Sequence, residues 1–184
     1  FENWTFSNLY ESPIGFFTTN GWAYQSTGAG NVVKGGPAYH GSFAIDLNTV
    51  QSATDTIFGG LFLGTPGSGN ITGGFPYSEQ PDSVSAYVKY NIQPNDTAFF
   101  IVAFKNNGSI IGMAFKSFTG SQLAYSRICL ATGLPALPAP DTIVAIFTSS
   151  KLAGPKIPGS RFTLDSISMI GAVQQFPNPS FENW

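Results

Sequence analysis

His40 is the only histidine and Cys129 the only cysteine in this 184-residue chain, so any Ser-His-Asp or Cys-His centre must be built on one imidazole. A multi-histidine zinc site, a Cys-rich metal site and an internal disulfide are excluded. His40 stands in Tyr39-His40-Gly41, which reads as a turn with a solvent-facing ring. Cys129, in Arg127-Ile128-Cys129-Leu130, reads as a small thiol buried in a strand. Acid–base chemistry would fall to ten carboxylates: Glu2, Glu11, Asp46, Asp55, Glu79, Asp82, Asp96, Asp141, Asp165 and Glu182. A glycosidase needs two of them facing across a cleft, one with its pKa raised by burial. Spacing nominates no such pair. The Asp residues other than Asp46 instead open Asp-Ser/Thr-apolar triplets at Thr56, Ser83, Thr97, Thr142 and Ser166, and a turn Asp before a strand start explains most of these as strand punctuation. The chain is read as no enzyme.

The elements that would position these groups are strands. From Gly74 to Phe115, three apolar runs, Ser83–Tyr90, Thr97–Lys105 and Ser109–Phe115, are joined by turn-rich links at Asn91–Asp96 and Asn106–Gly108. Such links suit adjacent antiparallel strands, and the stretch is read as a three-stranded meander. In the first run Val84, Ala86, Val88 and Tyr90 share one face while Ser85, Tyr87 and Lys89 share the other. The second run is apolar on both faces, which predicts a central strand with a second sheet beneath it. Only 10% of residues are charged, against 15% aromatic, with 21 Gly and 13 Pro, a composition for short strands and tight turns. At a net charge of -2 the eight Lys and Arg are scattered and form no basic patch along the sequence, and no apolar run has the length of a membrane span, so neither nucleic acid nor membrane insertion is expected.

Along the chain, Asn20-Gly21 reads as a turn before Trp22-Ala23-Tyr24, and further strands are expected at Gly41–Leu47, Thr56–Leu63, Leu123–Leu130, Asp141–Thr148 and Arg161–Ile170. In the last of these Phe162, Leu164 and Ser166 oppose Thr163, Asp165 and Ile167. Gly64–Gly74 is a long loop and Gly133–Pro140 a proline-rich crossover. About ten strands without a helix predict an all-β, two-sheet antiparallel jelly-roll sandwich.

Phe1-Glu2-Asn3-Trp4 returns unchanged as Phe181-Glu182-Asn183-Trp184. The preferred account is tandem modules: residues 1–172 form one module, and 173–184 form a linker and the start of the next repeat. The alternative is that both copies are edge strands of one domain.

Together with these tetrapeptides, Asn20-Gly21-Trp22, Gly41–Ile45, Gly74–Tyr77, Ala86–Tyr90 and Pro158–Ser168 make the chain resemble the jelly-roll modules of secreted Bacteroidetes proteins. Those modules belong with the carbohydrate-metabolism domain and, more distantly, with carbohydrate-binding modules of the galactose-binding-like fold. The resemblance implies an extracellular or cell-surface location. It also implies a structural calcium site at the positions of Glu2, Ser42 and Asp165, although Ser166 stands where the family more often has a second acid, and calcium takes six to eight oxygen ligands. The Asp-Ser/Thr triplets likewise resemble the O-glycosylation signal of such proteins, which makes Thr56, Ser83, Thr97, Thr142 and Ser166 attachment candidates. Asn3, Asn70, Asn95 and Asn107 stand in sequons that matter only in a host with N-glycosylation.

Sugars present apolar C–H faces and polar rims, which suit exposed aromatic platforms with hydrogen-bonding neighbours. Trp22, Tyr24, Tyr77, Tyr87 and Tyr125 are aromatic with a polar edge, and Lys89, Arg127 and Gln122 can donate beside them. Tyr87 is best placed, on the polar face of its strand. The expected function is a secreted, non-catalytic carbohydrate-binding or adhesive module. The alternatives are a structural repeat of a large surface adhesin or fibre, whose contacts are with neighbouring repeats, and a glycan hydrolase.

Overall fold

The computed structural model describes residues 9–67, 71–134, 136 and 138–184. In chain order its elements are β1 (Phe17–Thr18), α1 (Asn20–Thr27), β2 (Val32–Gly35), β3 (Ala44–Asn48), β4 (Val50–Gln51), β5 (Thr56–Ile57), β6 (Gly60–Leu63), β7 (Thr65–Pro66), β8 (Ile71–Thr72), β9 (Phe75–Pro76), β10 (Ser83–Asn91), β11 (Ala98–Asn106), β12 (Ser109–Phe118), β13 (Ser121–Ala131), β14 (Thr142–Thr148) and β15 (Arg161–Ile170). One sheet runs β1-β6-β14-β11-β12, with β9 also pairing β14; the other runs β13-β10-β15-β3-β2. All pairings in both are antiparallel, and the sheets face each other as a jelly-roll β-sandwich.

The core lies between the inward faces. Val84, Ala86 and Val88 of β10 and Phe162 and Leu164 of β15 meet Phe100, Val102 and Phe104 of β11 and Phe147 of β14. Each buried Phe stabilises the fold by about 1.5–3 kcal/mol. As expected, β11 is central, flanked by β12 and β14.

The meander reading is corrected: β11 and β12 form a hairpin, but β10 belongs to the opposite sheet. Both β10 and β11 carry an apolar face, and placing them in opposite sheets buries those faces against the same core. The link between them turns over the sandwich edge with Ile92 buried and Asp96 as its anchor. Ser150 and Ser160 donate their hydroxyls to Asp96 Oδ2 at 2.5 and 2.8 Å, and the Ile157 N–H reaches the same oxygen at 3.0 Å. Thr97 and Lys151 donate backbone N–H to Oδ1. One carboxylate thus ties this link to the loop before β15.

Residues 20–27 form a helix where the sequence suggested a turn. Its two buried residues are Asn20 and Ala23, and it ends where Gly28, at φ +77°, donates its N–H to the Tyr24 carbonyl. The Asn20 side chain holds it in place, accepting from the N–H groups of Asn31 and Val32 and donating to the Glu11 and Val32 carbonyls. The expected strand from Thr56 to Leu63 is divided into β5 and β6, because Gly59 lies against the backbone of Leu47 and Asn48. The Gly64–Gly74 loop carries the short β7–β8 hairpin.

Residues 173–184 lie against the sandwich. Phe176 and Phe181 join the core, and Glu79 accepts the N–H groups of Val173 and Gln174. Among the described residues, no helix is long and apolar enough to cross a membrane.

Burial raises the pKa of Asp96, but its donors from Ser150, Ile157, Ser160 and Thr97 outweigh that and hold the carboxyl below its ordinary value. Asp96 therefore stabilises the fold above the unfolded value of about 3.9 and loses that contribution as pH falls through its lower folded value. Asp96→Asn is expected to cost about 2–3 kcal/mol at neutral pH in urea denaturation. The gap from wild type should narrow in acid below about pH 4.

Candidate functional site

β10 sets the site as well as the core. With Val84, Ala86 and Val88 turned inward, Ser85, Tyr87 and Lys89 point outward, and the register places Tyr87 opposite Arg127 on β13 and Asp165 on β15. Asp165 faces outward by alternation with the inward Leu164, and directly after it β15 carries a bulge. Between the pairs Ser85↔Ser168 and Tyr87↔Asp165 it has one residue more than β10, and Ser166 absorbs it at φ +52°. The bulge also corrects the predicted alternation: Ile167 turns into the core with Phe162 and Leu164.

Over this face lies the loop between β2 and β3. The fully buried Asp165 holds it from below, its Oδ2 accepting the backbone N–H groups of Tyr39 at 2.7 Å and His40 at 2.9 Å. Glu182 holds its far end, Oε1 accepting from Ser42 N–H and Phe43 N–H, each at 3.0 Å. Gly41 makes the second clamp sterically feasible, since a Cβ there would lie 2.4 Å from Glu182 Oε1. His40 Nδ1 pairs with Ser166 Oγ at 3.0 Å.

The clamped loop lays Tyr39 on Tyr87. Their ring centroids are 3.4 Å apart with the planes 13° from parallel, and Tyr39 remains 43% exposed. Tyr125 meets Tyr39 edge-on at 5.8 Å, and its hydroxyl donates to the Pro37 carbonyl at 3.1 Å. Lys89 Nζ donates to the same carbonyl at 3.3 Å and sits 4.5 Å from the Tyr125 ring centroid. Arg127, exposed at the rim, donates to Ser85 Oγ. Burial, then the negative charges of Asp165 and Asp46, push the Tyr125 phenol up, while hydrogen bonding to Tyr87 does so for Tyr39. Both phenols therefore stay neutral near pH 7.

Of the residues nominated from sequence, Tyr87, Lys89, Tyr125 and Arg127 share this face, with Gln122 at the β13 end of the same pairing. Trp22 does not: it is 50% exposed on α1, edge-on to Phe17, which in turn meets Phe62 on the other sheet. Tyr24 packs against Tyr10. Tyr77 is corrected from surface platform to core residue. It is 1% exposed with its hydroxyl donating to the Gln174 carbonyl, and burial pushes its pKa up to about 12. Cys129 is corrected from core thiol to exposed side chain, because Ile128 takes the inward position on β13, and its Sγ lies 3.2 Å from Ser83 Oγ. Sequence reasoning missed Tyr39. Its signal was an aromatic residue on a loop bracketed by Gly35-Gly36-Pro37 and Gly41.

Among the described residues, those near Ser42 do not fit calcium. Glu2 lies outside the described residues, Asp165 and Glu182 each face a pair of N–H donors, and Ser42 offers an N–H to the acid beside it. Donors aimed at the carboxylates take the place a cation would need, and among the described residues no group of three or more His, Cys, Asp or Glu could hold a metal. Thr56, Ser83, Thr97, Thr142 and Ser166 are all half-buried, with Thr56 Oγ1 bonded to Gln51 and Ser166 Oγ to Asp165. Asn3 and Asn70 lie outside the described residues.

The outer face of the other sheet has a different character. It holds a groove of about 960 Å³ whose lining includes Phe62, Ile101, Ile110, Met113 and Val144, with Lys105 at its margin donating to the Ile71 carbonyl.

No protein-family profile and no curated protein sequence matches the chain. Among solved structures, it is similar to a "putative glycoside hydrolase" from Bacteroides thetaiotaomicron, with a TM-score of 0.62 and 14% identity. That match covers 86% of this chain and 63% of the other, so the chain spans somewhat under two thirds of that protein, and the likeness is one of fold. A family 16 carbohydrate-binding module is matched at a TM-score of 0.44 and 14% identity, over 88% of this chain and 98% of that one. A family 11 carbohydrate-binding module of a Clostridium thermocellum cellulase is matched at 0.37 and 16%, over 78% and 81%. The chain is a jelly-roll β-sandwich similar in fold to the first of these.

Asp165→Ala is expected to lower stability by about 2–3 kcal/mol, since two N–H groups lose their acceptor. In hydrogen exchange, the amides of Tyr39 and His40 should lose their protection while those of β10 keep theirs.

Proposed function

We propose that this chain is a non-catalytic carbohydrate-binding module of an extracellular or cell-surface protein, and that it binds sugar on the outer face of the β13-β10-β15-β3-β2 sheet. The observation that carries the reading is the Tyr39–Tyr87 stack. One ring backs the other, and the upper one, exposed and fixed by a buried carboxylate, is a flat apolar surface of the kind that takes the C–H face of a pyranose. His40 and Arg127 supply donors at its edge, where sugar hydroxyls would lie. The polar groups are few and the ring is held before any ligand arrives, which reduces the ordering cost of binding.

The carboxylates beneath this face support a non-catalytic reading. Asp46 accepts from Arg161 and Thr163, and Asp165 accepts from Tyr39, His40 and Ser166. Each oxygen of both acids is engaged in holding the fold. The carbohydrate-directed description of the neighbour in Bacteroides thetaiotaomicron accords with sugar as the ligand class. The alternative, a structural repeat of a surface adhesin or fibre, is favoured by a separate observation, the docking of the second Phe-Glu-Asn-Trp against the sandwich.

A glycan array and polysaccharide pull-down on the recombinant chain test the proposal. Specific binding is expected, weakened tenfold or more (about 1.4 kcal/mol) by Tyr39→Ala and unchanged by Trp22→Ala, which alters the other face. Binding lost with Trp22 and kept without Tyr39 would move the site to the other sheet. No binding by the folded protein would favour the structural repeat.

A further inference from the structure

Every residue of the second Phe-Glu-Asn-Trp is engaged by the sandwich or by its own turn. Phe181 is 0% exposed, its ring 5.9 Å from that of Phe16. Glu182 accepts the N–H groups of Ser42 and Phe43. The Asn183 carbonyl accepts from Ile14 N–H at 3.0 Å and from Asn178 Nδ2 at 2.8 Å. Trp184 donates Nε1–H to the Phe181 carbonyl at 2.6 Å and packs on the core, with Lys34 Nζ 5.5 Å from its ring centroid. Three of the four side chains meet the sandwich, an aromatic in the core, an acid at paired N–H donors and an indole beside an ammonium, while Asn183 meets it through its backbone carbonyl.

The chain carries the same four residues at Phe1–Trp4, outside the described residues. The segment leading back toward them starts beside the socket. Glu11 pairs with Lys34 at 2.8 Å, and Lys34 is the residue that faces the Trp184 ring. The links between Glu11 and Trp4 reach at most about 25 Å when extended, enough to return a tetrapeptide to the same cleft.

We infer that the cleft bounded by Ile14, Phe16, Lys34 and Ser42–Phe43 is a recognition socket for Phe-Glu-Asn-Trp, and that the chain's own Phe1–Trp4 is a second ligand for it. Since Phe181 fills the core position completely, the two copies exclude one another. Seating one copy in the socket therefore displaces the other.

Thermal unfolding of Phe1→Ala, Phe181→Ala and the double variant tests this. A core Phe→Ala change with no replacement should lower Tm by roughly 10 °C. With interchangeable copies each single variant loses only a small part of that, and the double variant loses all of it. If Phe181→Ala alone shows the full loss, or does not fold, and Phe1→Ala adds nothing, the first copy is no ligand and the inference fails. It fails equally if even the double variant melts like wild type. Should the double variant not fold, a synthetic peptide of residues 178–184 present during refolding is expected to restore a cooperative transition, and no restoration would count against the socket. The Tm of Phe181→Ala is expected to be independent of protein concentration. A rise with concentration would show that a second molecule's copy, rather than the chain's own, enters the socket.

Discussion

The buried carboxylate of Asp165 is the constraint on which the proposed site depends. A charged group with no exposed surface is costly unless its oxygens are matched by donors, and here the donors are backbone N–H groups of a loop with no regular partner of its own. The pairing therefore solves two problems together: the carboxylate is satisfied, and the loop acquires one conformation. That conformation sets Tyr39 on Tyr87 and brings the Pro37 carbonyl to Lys89 and Tyr125. The bulge at Ser166 lets Asp165 keep its outward place in the alternation while Ile167, two residues on, turns into the core.

The two outer faces of the sandwich differ because their strands do. β10 alternates strictly, so its sheet has an apolar inner face and an outer one of Tyr, Lys, Arg and buried Asp. β11 is apolar on both sides, so Ile101 and Ala103 line an outer groove with Phe62 and Val144. Stacked tyrosines with donors at their margin suit a polar ligand with an apolar flank, whereas the groove is walled mainly by aliphatic and aromatic side chains with Thr72, Lys105, Asp141 and Thr142 among its lining.

What was legible in the sequence follows from which forces are local. The alternation through Val84, Ala86 and Val88 is a property of one strand, and it placed Tyr87 and Lys89 on the outer face; β15 was read to the residue, Arg161–Ile170. The sheet partner of β10 was not legible, because a short turn-rich link can close a hairpin or cross the sandwich edge, and only the shared core decides. Tyr39 was missed because its position depends on an acid far along the chain. Ser166 misled because it lies at a bulge, where counting by twos no longer gives the face. Cys129 misled because its residue type suggested burial while the regular alternation of β13 gives the inward place to Ile128. α1 forms through the contacts of Asn20 and Ala23, with little helical periodicity for a sequence reading to detect.

The C-terminal residues connect the two proposals. Glu182 is both the acid of the docked tetrapeptide and the clamp on the loop that carries Tyr39, so occupancy of the socket and order of the aromatic platform share one carboxylate. The most direct measurement of the central claim is a crystal structure of the chain with the tightest-binding oligosaccharide from the array. The account predicts a sugar ring lying flat on the exposed face of Tyr39, with hydroxyls toward His40 and Arg127. A sugar in the groove beside Phe62 and Ile101, or a Tyr39 face left bare while sugar binds elsewhere, would contradict it.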